Sequence, residues 1–290
     1  MTLEYVRQWQ REYEVRNGEG TTEIIVTDSA TIPETKEIMG SYFPSVIFLQ
    51  AKQNIGFGRS MNRALRVSSG DVIFMMNADL VIPQPQELDN LIRYMQANEQ
   101  IGIVAPRLCN FDNTLQFSAF QFYTPLVVFL RRTALGKTEF GKKRLQEFLL
   151  TDKVQDLQQP LPVDWVMGSA LLTKREHLAK VGLFDERFFM YMEDVDLCRR
   201  FWNQGLQVVY YPLSTMYHFH NKASGNKSVL SVLWNKYTYI HFSSAVKYFV
   251  KYRRQEKRQQ HAPQNIQHHT IEQSIPSSTE ESPRGSVVFF

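Results

Sequence analysis

Apolar and polar positions follow two different periods along the first hundred residues. Four short apolar runs have the length and composition of buried strands, at 22–29, 45–50, 71–79 and 101–106. Between them lie stretches such as 58–70 and 86–98, in which apolar residues recur every three or four positions, as in amphipathic helices. Strands that alternate with helices predict an α/β fold with a mostly parallel sheet flanked by helices. Ligands bind beyond the C-terminal ends of the strands in such sheets.

The second half of the chain is less regular. Residues 122–160 interrupt the alternation with an apolar stretch followed by basic residues, and we interpret them as a flap or an insertion on the acceptor side. Residues 163–172 predict another strand. Thr173 and Glu176 have the spacing of a capping box, which predicts a short helix ending before Gly182. Another helix is expected to end at Gly205.

Composition places the chain among folded globular proteins. Its 290 residues are 43% hydrophobic and 13% aromatic, and the net charge of +4 is too mild to indicate a nucleic-acid partner. The two cysteines, Cys109 and Cys198, lie far apart, which predicts free thiols in a reducing compartment. The sequence has neither a signal-peptide pattern nor a run of 18 apolar residues, so we expect a cytoplasmic protein that does not span the membrane.

The C-terminal part differs in composition from the rest. We divide the chain into a main domain at 1–225, an amphipathic basic helix at 226–258 and a disordered tail at 259–290. Residues 247–258 contain six basic residues and one acid, after a segment rich in Trp and Tyr. Two interpretations remain open for this helix: packing on the main domain, and contact with an anionic membrane surface, as a peripheral protein on the inner face of the cytoplasmic membrane.

Asn77 and Asp79 follow the third predicted strand. Their oxygen atoms are suitable ligands for a hard divalent cation, which would neutralise a diphosphate leaving group. An ordinary turn explains them equally well, because Asn and Asp are favoured in turns and Pro83 and Pro85 come next.

A glycine-containing segment, "QNIGFGRSMN", lies between the second strand and the helix that follows it. Gly56 would let the backbone approach a ligand, and Asn54 and Asn62 offer amide groups. The segment lacks the spacing of the dinucleotide-binding fingerprint, so a turn without a ligand remains an alternative.

Three acids, Glu193, Asp194 and Asp196, stand together in "RFFMYMEDVDLCRRFWNQG". A single acid at the start of a helix is commonly a cap. The neighbouring acids and the aromatic run before them favour a pocket in which one carboxylate removes a proton from a hydroxyl group. We expect Asp196 to face solvent or to serve as a structural partner.

His218 and His220 alternate at the end of the last predicted strand, so their side chains would point the same way. Such a pair either ligates a metal or is hydrogen-bonded within the structure. The first interpretation requires that Asp79 reach the same cation.

Three segments together resemble a known family. "GSALLTKREHLAKVGLFDERFFMYMEDVDLCRRFWNQG" resembles the C-terminal half of family-2 glycosyltransferases with the GT-A fold, and is most similar to the branch that contains bacterial rhamnosyltransferases. "NIGFGRSMNRAL" and "GDVIFMMNADL" resemble the family's glycine segment and metal-binding segment. The resemblance extends from residue 22 to about 245.

This resemblance implies an inverting transfer of a sugar, with rhamnose as one candidate, from a dTDP- or UDP-linked donor to a hydroxyl acceptor that can be lipid-linked. It also implies Mg or Mn as cofactor and a place in cell-surface polysaccharide or glycolipid synthesis. The roles that it assigns are Asp194 as base paired with Glu193; Asp28, Asn54, Gly56, Asn62, Asn77 and Asp79 at the donor; Asp79 and His218 on the metal; and Asp164, Trp165, Gly168 and Tyr191 at the acceptor or sugar.

Family members begin with an apolar strand, whereas this sequence opens with "MTLEYVRQWQREYEV", which resembles the helix that follows that strand. We therefore expect the sheet to lack its first strand and to expose an edge. A non-catalytic relative that acts as a binding protein is the alternative function. A nucleic-acid binder ranks below both, because basic residues cluster in one terminal segment only.

Overall fold

A computed structural model of the chain describes residues 2–18, 22–29, 32, 34–219, 236–259 and 285–289. The helices are α1 Thr2–Asn17, α2 Glu34–Tyr42, α3 Phe57–Val67, α4 Gln86–Gln96, α5 Pro125–Leu130, α6 Glu139–Leu149, α7 Thr151–Val154, α8 Arg175–Val181, α9 Glu193–Asn203 and α10 Lys236–Gln259, with a 3-10 turn at Ala134–Lys137. The strands are β1 Thr22–Asp28, β2 Ile47–Gln50, β3 Val72–Met76, β4 Leu80–Val81, β5 Ile101–Cys109, β6 Leu115–Gln116, β7 Ala119–Phe120, β8 Leu161–Pro162, β9 Trp165–Val166, β10 Ala170–Lys174, β11 Gln207–His218 and β12 Gly285–Phe289.

One mixed sheet organises the described residues. Its strands run in the order β2-β1-β12-β3-β10-β5-β11-β4, and β6 and β8 pair with β5 and β11. The pairs β1–β2, β12–β1, β12–β3 and β5–β11 are parallel, whereas β10 is antiparallel to both β3 and β5. The predicted α/β class is confirmed, with β10 as the main exception to parallel pairing.

Helices cover both faces of this sheet because the strands bury side chains on both sides. In β3, Ile73 and Met75 belong to a core cluster that includes residues of α3, α5, α8, α9 and α10. Val72, Phe74 and Met76 alternate with them and join a second cluster, with residues of α1, α2 and α4. Strands buried on both faces read as continuous apolar runs, which is the pattern that predicted them.

The position between β1 and β3 is occupied by β12. Ile24 and Ile25 face Val287 and Val288 in the strand register on one side, and Phe74 and Met75 face the same two residues on the other. The prediction of an exposed edge is therefore wrong, because the position between β1 and β3 lies inside the sheet and contains a strand.

Three further predictions differ from the structure. The strand predicted at 163–172 is two strands, β9 and β10, separated by a turn. Thr173 is not a helix cap: it lies in β10 and its hydroxyl donates to the carbonyl of Gly102 at 2.7 Å. The tail predicted at 259–290 contains strand β12, while residues 260–284 and 290 lie outside the described residues.

The helix α10 packs on the main domain, in agreement with one of its two interpretations. Tyr248 and Tyr252 are 0% and 3% exposed. Lys251 forms ion pairs with Asp196 and, at 2.9 Å, with Asp185, while Lys247 donates to the carbonyl of Arg187. These two lysines of the basic segment thus make contacts within the protein. Within the described part of the chain, no helix has the length and apolarity needed to cross a membrane.

Candidate functional site

The segment after β3 brings a carboxylate and an imidazole together. Asp79 lies in the turn between β3 and β4, and β4 pairs with the end of β11, where His218 is located. The Oδ1 atom of Asp79 is 3.1 Å from Nε2 of His218. Asn77 approaches the same nitrogen, with its Nδ2 at 3.5 Å, and its Oδ1 is buried without a hydrogen-bond partner among the described residues. The predicted proximity of Asp79 and His218 is confirmed, whereas His220 lies outside the described residues.

Gln116 controls which nitrogen of His218 faces this group. Its Oε1 is 2.6 Å from Nδ1 of His218. An amide oxygen can only accept, so Nδ1 donates to it, and in a neutral imidazole Nε2, the nitrogen that faces Asp79, is then the one left to bind a metal. Metal-bound histidines commonly have such an outer hydrogen bond, which fixes the tautomer and the ring orientation.

These groups fit a divalent cation. The carboxylate of Asp79, Nε2 of His218 and the partnerless oxygen of Asn77 are oxygen and nitrogen donors of the kind that Mn²⁺ accepts. In the described portion of the chain, no group of three or more His, Cys, Asp or Glu side chains could hold a metal ion. The remaining ligands would therefore come from water and from the phosphate groups of a substrate, as is usual for metals that bind nucleotides.

The start of α9 presents the predicted base. Tyr191 and Met192 adopt φ values of 69° and 68°, a left-handed conformation that is uncommon for non-glycine residues and often marks functional sites. Asp194 follows in the first turn of the helix. Its carboxylate accepts hydrogen bonds from the backbone N–H of Gly168 at 3.1 Å and of Val195 at 2.8 Å. Burial nevertheless raises the pKa of Asp194, which makes the carboxylate a stronger base.

Glu193 is more deeply buried than Asp194. Its side chain is 6% exposed and Oε2 has no hydrogen-bond partner among the described residues. Burial, together with the charge of Asp194, raises the pKa of Glu193 to about 8. A buried, protonated Glu193 is not positioned to contact a substrate, so its predicted place in a catalytic pair is not supported. The structure favours a role in packing and electrostatics.

One turn connects the candidate metal ligands to the candidate base. The segment 167–169 joins β9 to β10, and Ser169 receives a backbone hydrogen bond from Asn77 at 2.9 Å. The adjacent Gly168 donates to Asp194, and a Cβ atom added at Gly168 would lie 3.5 Å from the Cβ of Asp194. The proposed metal ligands and the proposed base are therefore held by consecutive residues of the same turn.

The glycine segment contacts the loop before α9. Gly56 has a φ of 86°, and a Cβ atom there would lie 2.2 Å from the carbonyl oxygen of Phe189, so only glycine fits. Asn54 accepts a hydrogen bond from the N–H of Gly56 at 2.9 Å. Asn62 is 1% exposed, and its amide exchanges two hydrogen bonds of 2.9 Å with the backbone of Phe184. The prediction that Asn62 contacts the donor is not supported, because its amide joins α3 to this loop.

Asp28 lies at the C-terminal end of β1, as predicted. Its side chain is 7% exposed and accepts a hydrogen bond from Gln50 at 3.2 Å. Gln50 ends β2, so both residues are at the edge of the sheet where ligands of α/β proteins bind. Contact of Asp28 with a nucleobase remains a prediction.

The predicted acceptor residues divide into two groups. Trp165 is 5% exposed and stacks on Phe120 with ring centroids 4.3 Å apart, so it belongs to the core rather than to a pocket wall. Asp164 accepts a hydrogen bond from the backbone of Phe122, and burial raises its pKa. Gly168 donates to Asp194 and Tyr191 lies three residues before it, so both remain candidates for an acceptor pocket.

Asp196 is a structural residue. Its side chain is 0% exposed and is held by Arg200 at 2.9 Å, by Lys251 and by the hydroxyl of Tyr252 at 2.8 Å. It does not face solvent, and the charge of two cations explains how a carboxylate is tolerated at this depth.

Several residues near Asp194 had no signal in the sequence. Arg131 follows α5, and its charge opposes the raised pKa of Asp194. Arg132 lies over the ring of Tyr191 at 5.9 Å, and that ring is 5.1 Å from the ring of His241. Burial and the two arginines lower the pKa of His241 to about 3, which keeps it neutral. The spacing of these residues along the chain gives no indication that they meet.

The sequence of this domain matches the family model described as Glycosyl transferase family 2 over residues 12–164, which is more than half of the chain. The chain belongs to glycosyl transferase family 2. It is 28% identical over 221 residues to the N-acetylglucosaminyl-diphospho-decaprenol L-rhamnosyltransferase of Mycobacterium tuberculosis, covering 70% of this chain and 68% of that protein. It is also 28% identical over 176 residues to Rhamnosyltransferase WbbL of Escherichia coli, covering 57% of this chain and 61% of that protein.

The fold of this glycosyltransferase is also similar to solved structures. The crystal structure of GalNAc-T7 with UDP, GalNAc and Mn2+ superposes with a TM-score of 0.51 and 15% identity, covering 72% of this chain and 39% of that one. At this identity the likeness shows the fold alone. The predicted family and its similarity to the rhamnosyltransferase branch are confirmed.

Proposed function

We propose that this chain is an inverting, divalent-metal-dependent glycosyltransferase that moves a sugar from a nucleoside diphosphate to a hydroxyl acceptor. One observation carries the proposal: consecutive residues Gly168 and Ser169 hold Asp194 and the Asn77 segment in one site. Transfer from a nucleoside diphosphate needs a base at the acceptor and positive charge at the leaving group, and this site offers both positions.

The residues of the chain have the following roles in this proposal. Asp194 accepts the proton of the acceptor hydroxyl, whose oxygen then bonds to the anomeric carbon as the bond to the diphosphate oxygen breaks. Asn77, Asp79 and His218 would hold Mg²⁺ or Mn²⁺, which would supply positive charge next to the diphosphate leaving group. Asp28 contacts the base of the nucleotide. Tyr191 covers the reacting groups and limits hydrolysis by water.

The donor and acceptor are proposed from the relatives. Two of them are rhamnosyltransferases by name, so a dTDP-linked rhamnose is the first donor to test, followed by UDP-linked sugars. One relative is named for a diphospho-decaprenol acceptor, which supports a lipid-linked acceptor for this chain. We place the protein at the inner face of the cytoplasmic membrane, in the synthesis of a cell-surface polysaccharide or glycolipid.

The test compares Asp194→Asn with the native chain. Loss of a general base reduces turnover by about 10²–10⁴-fold, while calorimetric binding of dTDP and UDP with Mn²⁺ stays close to native because Asp194 does not contact the nucleotide in this proposal. Asp71→Asn, at an exposed carboxylate before β3, is the matched control and keeps native turnover. Native turnover by Asp194→Asn excludes this residue as the base.

The alternative, a non-catalytic binding protein, relied on the missing first strand. The position between β1 and β3 contains β12, which removes that support. A binding protein would take up dTDP or UDP with the same metal dependence but would turn over no dTDP- or UDP-linked sugar with any hydroxyl acceptor.

A further inference from the structure

The helix α10 has two apolar faces, and only one of them is covered. His241, Ala245, Tyr248 and Tyr252 recur at helical spacing and pack on the domain, each at most 3% exposed. A second stripe recurs three and four residues apart and is open to solvent: Tyr239 at 77%, Phe242 at 39%, Val246 at 61% and Val250 at 46%. An apolar stripe on the outside of a packed helix is costly in water unless something covers it.

A second open apolar group lies on the insertion between β7 and β8. Leu126 and Phe129 of α5 are one helical turn apart and are 42% and 46% exposed, and Leu135 of the following 3-10 turn is 52% exposed. The other side of α5 is in the core, where Val127 and Val128 are buried. This short helix therefore also has apolar residues on both sides.

Contacts at Tyr191 connect the two segments that carry these groups. Arg132, two residues after the end of α5, lies over Tyr191, and the ring of Tyr191 contacts the ring of His241 in α10. Phe242 is the next residue of α10. Tyr191 lies two residues before α9, so both segments contact the residue that leads into the helix of Asp194.

The charge of residues 125–149 indicates what covers the exposed apolar groups. Residues 125–149 contain six basic residues and two acids, a net charge of +4 that equals the net charge of the whole chain. Arg131, Lys137 and Lys143 are exposed there. Exposed apolar and aromatic side chains among basic residues are typical of surfaces that insert into the headgroup region of an anionic bilayer.

We propose that Leu126, Phe129, Leu135, Tyr239, Phe242 and Val246 form a membrane-docking rim that sits on an anionic lipid surface. The rim would hold the acceptor pocket against the bilayer, so that an acceptor anchored in lipid reaches Asp194 without leaving the membrane. This proposal deepens the proposed function. It rests on that function only for the idea that the acceptor is anchored in lipid. The basic end of α10 is not required, because Lys247 and Lys251 are engaged within the protein.

The experiment is flotation of the full chain with vesicles at physiological salt. Vesicles with about 30% anionic lipid should carry the protein and zwitterionic vesicles should carry much less, as for surfaces that combine apolar and basic groups. Two double variants, Leu126→Ser with Phe129→Ser and Phe242→Ser with Val246→Ser, should each reduce partitioning by about tenfold. The matched control is Val15→Ser with Tyr42→Ser, at exposed apolar positions on the opposite side of the sheet.

The outcomes separate this proposal from the proposed function. Nucleotide binding and turnover of a soluble acceptor should be native in both rim variants, because the rim residues do not contact the reacting groups. Native flotation by both rim variants, or equal losses in the control, overturns the rim. If size-exclusion chromatography with light scattering shows a dimer that both rim variants dissociate, a second copy covers the surface and the membrane proposal is wrong.

A separate observation concerns β12. Its five residues provide the strand pairing between β1 and β3 among the described residues. β1 ends at Asp28, and β3 ends just before Asn77, so the two parts of the proposed donor site stand on opposite sides of β12. We infer that residues 285–289 act as an inserted strand that completes the donor-site sheet, in the way that peptides add to open sheet edges.

Hydrogen exchange on the full chain tests this inference without a variant. The backbone N–H groups of 286–289 should be protected to a degree comparable with those of β3, because both belong to the same ladder. Full exchange of this segment within seconds overturns the inference. Val287→Pro, which removes a ladder donor, should weaken nucleotide binding at least tenfold, and a synthetic peptide of residues 282–290 added in trans should restore binding to a chain that stops at Arg284. Native binding by the shortened chain without peptide also overturns it.

Discussion

The substitution Glu193→Gln tests the electrostatics at the start of α9, the helix that carries Asp194. Glu193 is buried, and Oε2 has no hydrogen-bond partner among the described residues. A carboxyl group in this position is stable when it carries a proton and is costly when it is charged beside Asp194. Gln has nearly the same shape as protonated Glu and cannot ionise, so it separates the effect of charge from the effect of packing.

The size of the effect follows from the pKa of Glu193. The folded protein raises this pKa from 4.5 to about 8, so the folded state binds the proton more tightly than the unfolded state. The resulting stabilisation is fully present below pH 4.5 and is lost as the pH rises toward about 8. At about 1.4 kcal/mol per pKa unit, the native protein should lose about 5 kcal/mol relative to the Gln variant across this interval.

A second contribution acts in the opposite direction. Protonated Glu193 leaves one O–H without an acceptor, whereas the amide nitrogen of Gln leaves two N–H groups, and each unsatisfied buried donor costs about 1–3 kcal/mol at any pH. The Gln variant should therefore be the less stable protein at pH 5 and the more stable one at pH 8. A crossing of the two stability curves is the signature of a buried, protonated Glu193.

Urea unfolding at pH 5, 6, 7 and 8 measures this difference. Glu139→Gln is the matched control, since the Glu139 side chain is 91% exposed, and its curve should stay parallel to that of the native chain. If the free energy of unfolding of Glu193→Gln also runs parallel to that of the native chain from pH 5 to 8, Glu193 ionises at its ordinary pKa. Our account of the start of α9 is then refuted.

Three other changes have expected outcomes. Gln116→Leu removes the acceptor that fixes the tautomer of His218, and Mn²⁺ affinity measured by calorimetry should fall by about 10–100-fold. Gly56→Ala places a Cβ atom 2.2 Å from a carbonyl oxygen at a positive φ, so the free energy of unfolding in urea should fall by at least about 2 kcal/mol. Lys251→Met leaves the buried carboxylate of Asp196 with one cation fewer and should cost about 2–4 kcal/mol, whereas unchanged stability would show that Lys251 contributes no net stabilisation.

The first half of the fold could be predicted because its signals are local. The strands β1, β2, β3 and β5 each lie in a short apolar run, and the helices α3 and α4 have apolar residues at helical spacing. The prediction failed where a local pattern had two meanings. Thr173 and Glu176 have the spacing of a capping box, yet Thr173 is a buried strand residue whose hydroxyl bonds Gly102 on the neighbouring strand. The sequence near Thr173 does not indicate that Gly102 lies next to it.

The candidate site shows the same division. Asp194, Asp79 and His218 could be selected because each stands at the end of a strand or the start of a helix within a recognisable motif. The roles of Glu193, Asn62 and Trp165 could not be assigned, because burial depends on what packs over a residue. Gln116 gave no signal at all: its role depends on one contact with a histidine 102 positions away in the chain.

The sequence by itself determined the family, the α/β class, the strand ends that carry polar residues and the acid cluster at the start of α9. These features depend on residue type and on spacing within a few residues, which the sequence records directly. The tertiary structure decided which acid is accessible, which histidine nitrogen faces Asp79, and which apolar face of α10 is left open. It also decided that β12 pairs with β1 and β3, because strand pairing between distant segments depends on which sheet edges the rest of the fold leaves unpaired.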